Sequence, residues 1–305
     1  TIMAAHRGYG TTGMLPTVIS DDLAIVAAAI QAVDTAIEAG VPGILGIHIE
    51  GPYLSIAKKG AHDAAKFRAL DDDAIILLSS MKNGVTHVTL APEETTPEMI
   101  SRLKATGVVI SMGHTNATCA EAHAGLDAGI TGFTHLFNAM TPLVGREPGV
   151  VGAALSDADS FAGIIVDGHH VAPASLKAAI NAKGVDRMML VTDAMPSVGL
   201  ADKSFGILGT KVIVKDGKCT YADGTLAGSD LDMISAVRNT QDWLGVSLKD
   251  AAHMASKMPA EFLGISETHG TIEAGRKASF VLVDGDRNVQ QVWIDGTGYP
   301  PAPKS

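Results

Sequence analysis

The amino-acid order predicts an α/β fold: a TIM-like (β/α)8 barrel with a remnant of a small β-sandwich domain, the first barrel strand lying ahead of Thr1. Three observations predict it. Seven short apolar segments alternate with longer helical ones. Glycine closes several helices just before the next strand begins. Ionisable residues end strands that are otherwise apolar, as they do on the C-terminal face of a barrel.

The strand segments are 12–18, 44–50, 87–92, 108–114, 132–137, 163–167 and 188–193. Most are continuous apolar runs, the pattern of parallel strands buried on both faces. Helical stretches lie between them at 21–39, 97–105, 117–127 and 173–181. The phrases Glu38-Ala39-Gly40, Ala105-Thr106-Gly107 and Asp127-Ala128-Gly129 place glycine where a helix ends in a left-handed residue. Thr1–His6 reads as the middle of a helix, so the natural protein is expected to begin further upstream, and an eighth strand there closes the barrel count. A doubly wound open sheet is the rival arrangement.

After the last barrel strand come a hairpin at 211–219 and helices at 231–243 and 248–257. Residues 1–269 are therefore assigned to the barrel. Residues 270–305 are assigned to the C-terminal part of a small β-sandwich, with short strands in 270–284 and 289–295 that lack partners in the remaining chain. Pro300–Pro303 reads as a frayed end.

Composition narrows the function. With 46% hydrophobic residues in 305, the chain can bury a large core. A formal net charge of −10 leaves no basic excess for nucleic acid, although one arginine can still dominate a small anionic pocket. Two cysteines without CxxC spacing favour a reducing cytoplasm, and no apolar run approaches a membrane span.

Glu50, His114, His135 and Asp193 each close a predicted strand. On one barrel rim the first three make an oxygen-and-two-nitrogen set suited to a borderline divalent cation such as zinc. Each has a plainer reading alone. Strand-end histidines, His48 and His87 included, usually serve as hydrogen-bonded rim or core residues; Glu50 before Gly51-Pro52 suits a turn; Asp193 suits a helix N-cap. The convergence of four such residues is what favours a metal site.

The segments His48-Ile49-Glu50-Gly51-Pro52, Lys58-Lys59-Gly60-Ala61-His62, Gly113-His114-Thr115-Asn116-Ala117-Thr118 and Thr134-His135-Leu136-Phe137-Asn138-Ala139-Met140 occur in that order. Gly145-Arg146-Glu147-Pro148-Gly149, Asp167-Gly168-His169-His170-Val171, Val191-Thr192-Asp193-Ala194 and Gly224–Ser229 follow. This series resembles the N-acetylglucosamine-6-phosphate deacetylase family of the amidohydrolase superfamily, from Gly10 to about Asp284.

The resemblance implies a hydrolase that removes acetyl from a phosphorylated amino sugar. Glu50, His114 and His135 would ligate the metal, with zinc first and iron, cobalt or manganese as other candidates. Asp193 would take a proton from the attacking water and pass it to the departing amine. His170 would polarise the acetyl carbonyl, with its neighbour His169 a possible decoy. His62, Asn138 and the backbone of Ala139 would contact substrate, Arg146 would hold the phosphate, and Met233 would offer an apolar contact. Ser229 or Asp230 near it is equally suited to cap a helix. Arg146 and His62 would reach a neighbouring subunit's site, implying a homodimer with shared active sites. The superfamily's first-strand motif is absent, so one or two ions both remain open; His6 is read as structural. Hydrolysis of a cyclic amide or N-acyl amino acid, and a non-catalytic sugar-phosphate-binding barrel, are the competing functions.

Overall fold

The computed structural model describes residues 1–303. Seven parallel strands follow one another in chain order: β1 Thr17–Ile19, β2 Gly46–Glu50, β3 Val85–Leu90, β4 Val109–Met112, β5 Gly132–Phe133, β6 Phe161–Ile164 and β7 Met188–Leu190. Each overlaps its expected segment; all but β3 are shorter, and β4, β5 and β7 leave the ladder before their polar strand-end residues. Strand β6 starts two residues early and leaves Ile165–Asp167 outside the ladder. Burial on both faces explains the apolar runs: Ile47, Ile49, Val88, Leu90, Ile110 and Met112 are at most 1% exposed. The chain divides into two compact units, residues 15–163 and residues 1–14 with 164–305.

In the 15–163 unit, helices Leu23–Glu38, Pro97–Ala105 and Cys119–Asp127 match expectation. Thr96 caps the second, and Thr118 with Glu121 forms a capping box on the third. Two further helices were not read from sequence. Asp72–Leu78 carries a legible signal, an Asp71 N-cap with two acids in the first turn. Gly149–Ser156 is almost wholly buried and apolar, so it shows no helical period. Gly46 is required where β2 meets β3: a Cβ there would lie 2.0 Å from the Val85 carbonyl oxygen.

His48 and His87 are the rim residues the plain reading expected. Their rings stack at 4.3 Å; His48 Nε2 meets Thr89 Oγ1 at 2.8 Å, and His87 Nε2 meets Ser111 Oγ at 2.8 Å. Burial holds His48 down to about 4, outweighing the opposing pull of Glu50.

In the other unit, helix Ile2–Arg7 buries His6, as its structural reading requires. The carbonyl of Ile164, closing β6, accepts the amide of Val191 at 3.1 Å. The expected hairpin is the middle of a four-stranded antiparallel sheet of β8 Phe205–Ile207, β9 Thr210–Lys215, β10 Lys218–Thr220 and β11 Leu226–Ser229. Helices Met233–Leu244 and Leu248–Ala255 follow, near their expected limits.

The tail corrects two expectations. Strands β12 Phe280–Val283 and β13 Val289–Ile294 do have a partner in the chain: β14 Thr297–Tyr299 folds back on β13 through Asp295-Gly296, both at positive φ. Three residues after such a turn were too short to read as a strand. The proline-rich end is not frayed at Ala302, whose amide donates to the Gly8 carbonyl at 2.9 Å. A Cβ on Gly8 would lie 2.7 Å from that amide nitrogen, so glycine permits the contact. Beside it Arg7 sits 4.2 Å over the Tyr299 ring. Among the described residues no helix is long and apolar enough to cross a membrane.

Candidate metal centre and active site

Glu50 is the last residue of β2, while His114 and His135 lie two residues beyond the ends of β4 and β5. Both histidines adopt positive φ, 48° and 32°, rarely populated by non-glycine residues. That local turn swings each ring over the strand end. His114 Nε2 and His135 Nε2 are 3.0 Å apart, and each approaches Glu50 Oε1, at 3.3 and 3.0 Å. All three residues are buried.

The fit to a cation is testable on these atoms. His114 donates its Nδ1–H to the Lys58 carbonyl at 2.8 Å, which leaves a lone pair on Nε2 aimed at the focus. Ligand atoms bonded at about 2.0–2.1 Å around a tetrahedral ion lie about 3.3 Å from one another. The observed separations match that spacing, and the residues fit a divalent metal. Burial pushes the Glu50 carboxyl up, but the hydrogen bonds and charges of His114 and His135 outweigh it and hold it well below the usual carboxylate range.

Supporting groups fix the candidate ligands. Glu93 accepts from Thr115 Oγ1 and from the Asn116 amide, both at 2.5 Å, clamping the turn that carries His114. Its signal in sequence is faint, a glutamate soon after β3. Asn138 donates Nδ2 to the His135 and Leu136 carbonyls at 3.1 and 3.3 Å, so its amide closes the turn beneath His135. Ala139, at φ 49°, accepts the Thr115 amide at 3.1 Å and ties the two ligand loops together.

His62 corrects an expectation. It is 4% exposed, with Nε2 3.9 Å from Glu50 Oε2 and its ring 4.5 Å from that of His114. Its Nδ1 meets Ser20 Oγ at 2.8 Å and accepts the Ser20 amide at 3.3 Å, so Nε2 carries the proton. Packed inside its own chain, it cannot reach a neighbouring subunit. Burial holds it near 3, against the pull of Glu50.

Arg146 is exposed, on a loop tied down at both ends. Thr141 donates to the Ala117 carbonyl at 2.7 Å, and Glu147 accepts the Cys119 amide at 2.6 Å. The tip between them presents Leu143 and Val144, 56% and 51% exposed.

In the other unit, His170 donates Nδ1–H to Asp167 Oδ2 at 2.6 Å, with both side chains about 5% exposed. Asp167 Oδ1 also accepts the amides of His169 and His170, at 2.8 and 2.9 Å. Its carboxyl is pushed up by burial but held lower overall by the hydrogen bonds and charge of His170. His169 is exposed and turns to the Asp216 carbonyl at 3.0 Å, so His170 is the inward ring. Sequence reading passed over Asp167, though an acid three residues before His170 was its signal.

Asp193 sits at φ 49° just past β7 and caps no helix. Strand β11 grips its turn: Ser229 donates its amide to the Asp193 carbonyl at 2.8 Å and its hydroxyl to the Thr192 carbonyl. Neither Ser229 nor Asp230 caps the following helix; Asp232 does, accepting the Ser235 amide at 2.8 Å. Met233 opens that helix, half-buried.

The amidohydrolase family model matches residues 2–297. The chain belongs to the amidohydrolase family. Among amidohydrolases it is similar to the N-acetylgalactosamine-6-phosphate deacetylase of Shewanella sp. (strain ANA-3), 46% identical over 97% of this chain and 75% of the relative. It is 38% identical to the N-acetylglucosamine-6-phosphate deacetylase of Vibrio furnissii, over 94% of this chain and 73% of the relative. The crystal structure of N-acetylglucosamine-6-phosphate deacetylase from Pasteurella multocida superposes with a TM-score of 0.92 at 34% identity, covering 97% of this chain and 78% of that one. The resemblance read from the motifs therefore holds, and with it an amidohydrolase fold with a candidate metal cluster.

Proposed function

We propose that this amidohydrolase hydrolyses N-acetyl-D-glucosamine 6-phosphate to D-glucosamine 6-phosphate and acetate, in amino-sugar catabolism. The observation that carries the reading is the convergence of Glu50, His114 and His135 in a chain so similar to deacetylases of this kind. Zinc is the cation the oxygen-and-nitrogen set favours, iron, cobalt and manganese being the alternatives, with a count of one or two. When bound, it supplies Lewis acidity to the acetyl carbonyl and makes water acidic near neutral pH.

The chain's own residues supply the rest. Asp193 takes a proton from the attacking water as the C–O bond forms, then delivers it to the amine nitrogen as the C–N bond breaks. His170 donates to the carbonyl oxygen as negative charge develops there. His62, the 138–139 turn and Met233 contact the sugar. Arg146, on its projecting loop, serves the phosphate bound by a second copy, which makes the enzyme a homodimer with shared sites; its two free cysteines suit the reducing cytoplasm. Residues 1–269 are read as the TIM-like barrel and 270–305 as part of a small β-sandwich.

A second reading, the C4 epimer N-acetyl-D-galactosamine 6-phosphate as substrate, is favoured by the 46% identical Shewanella relative. Acetate release measured on both epimers separates them by kcat/KM. Arg146→Ala should raise KM for the phosphorylated sugar about 10- to 100-fold, the worth of a lost charged hydrogen bond. It should leave KM for the unphosphorylated sugar unchanged. An equal rise for both would remove Arg146 from the phosphate.

A further inference from the structure

His170 is held in a way that ordinary loop packing does not require. Its Nδ1–H is committed to Asp167 Oδ2 at 2.6 Å, and the same carboxylate takes two backbone amides on its other oxygen. The second carboxylate oxygen thereby fixes the loop, and the first fixes the ring within it. Both side chains are withdrawn from water, at 6% and 5% exposure. A carboxylate accepts only, so Nδ1 must be the donor, and Nε2 is the ring's working atom.

We propose that Asp167 is a positioning residue that holds His170 as a cationic donor, its Nε2–H directed at the oxygen of the scissile carbonyl. The proton count requires the cation. A neutral ring that spends its one N–H on Asp167 presents a lone pair at Nε2 and repels a developing oxyanion. Only the imidazolium donates from both nitrogens, and a buried imidazolium needs the adjacent negative charge. The proposal rests on the reading of His170 as the group that meets the acetyl carbonyl.

The test uses the metal-loaded full chain and two substrates, N-acetyl- and N-trifluoroacetyl-glucosamine 6-phosphate. The trifluoroacetyl carbonyl is already activated and depends less on a donor. Asp167→Asn keeps an acceptor for Nδ1–H but removes the charge. It should lower kcat on the acetyl substrate about 100-fold, the usual cost of an oxyanion donor, with little change in KM. Its loss on the trifluoroacetyl substrate should be several-fold smaller. Asp167→Glu, which keeps the charge, should recover part of the lost kcat. Equal losses on both substrates in a folded variant that retains metal, or no loss at all, would overturn the proposal. So would Asp167→Glu doing no better than Asp167→Asn. His170→Asn separates the two layers: if it retains full kcat, the role of His170 itself falls, and the proposal with it. If it is impaired while Asp167→Asn is not, only the positioning role fails.

Discussion

His114, in the 15–163 unit, and His170, in the other, are the same ring under different instructions. Both donate from Nδ1. His114 donates to a backbone carbonyl, that of Lys58, and His170 to the carboxylate of Asp167. A carbonyl is neutral; it orients the ring without favouring a charge, and Nε2 keeps a lone pair for a cation. A carboxylate orients the ring and adds a negative charge beside it, the setting that the proposed donor role of Nε2 would use. The partner on one side of an imidazole thus decides what its other side can bind. On the proposed function, the metal would be held by residues of the first region, and protons would be supplied by residues of the second.

Substitutions can break that division. The largest effect is expected from Asp193→Asn, which should lower kcat for acetate release about 10²- to 10⁴-fold, the range of general acid–base catalysis. Metal content, measured by elemental analysis, should stay at the wild-type level. Wild-type turnover in this variant would take proton transfer away from the 164–303 region. Glu93→Gln should do the reverse. By loosening the clamp on Thr115 and Asn116 it should weaken metal affinity about 10- to 100-fold in chelator competition, with kcat at saturating metal near wild type. Unchanged affinity would mean that the His114 turn holds without its carboxylate.

A smaller effect concerns His48, a buried histidine beside the candidate metal centre. Burial keeps His48 down to about 4 in the folded protein, whereas an unfolded histidine takes up its proton near 6.5. Between those values the unfolded state binds more protons. Stability from this residue is therefore complete above about pH 6.5 and falls as pH drops toward 4, by up to about 1.4 kcal/mol per pH unit. Urea melts of metal-free protein between pH 7 and 5 should show a shallower acid slope for His48→Asn. The same slope in both proteins would mean that His48 accepts its proton while folded.

Many of the candidate site residues were legible because strand-end chemistry is local. Glu50, His114, His135 and Asp193 stood out as ionisable residues after apolar runs, and all four lie at or just past their strands. His62 was legible as a residue of interest but not in its placement. A histidine after Lys58-Lys59-Gly60 looks exposed, yet Ser20 and Glu50, distant in sequence, enclose it. Asp167 and Glu93 were passed over because a supporting carboxylate has no signature apart from the group it holds. Strand β14 was hidden by its length, and helix Gly149–Ser156 by its uniform burial.

By itself, the sequence determined the parallel αβ alternation, the candidate ligand trio and the family, since apolar runs, helix stops and short motifs are properties of neighbours along the chain. The tertiary structure alone decided which of His169 and His170 turns inward, that His62 is buried, and which Nδ1 meets a carbonyl and which a carboxylate. Those outcomes depend on hydrogen-bond partners brought together by folding, as with His114 and Lys58, 56 positions apart. Linear order does not encode the direction in which a ring is turned.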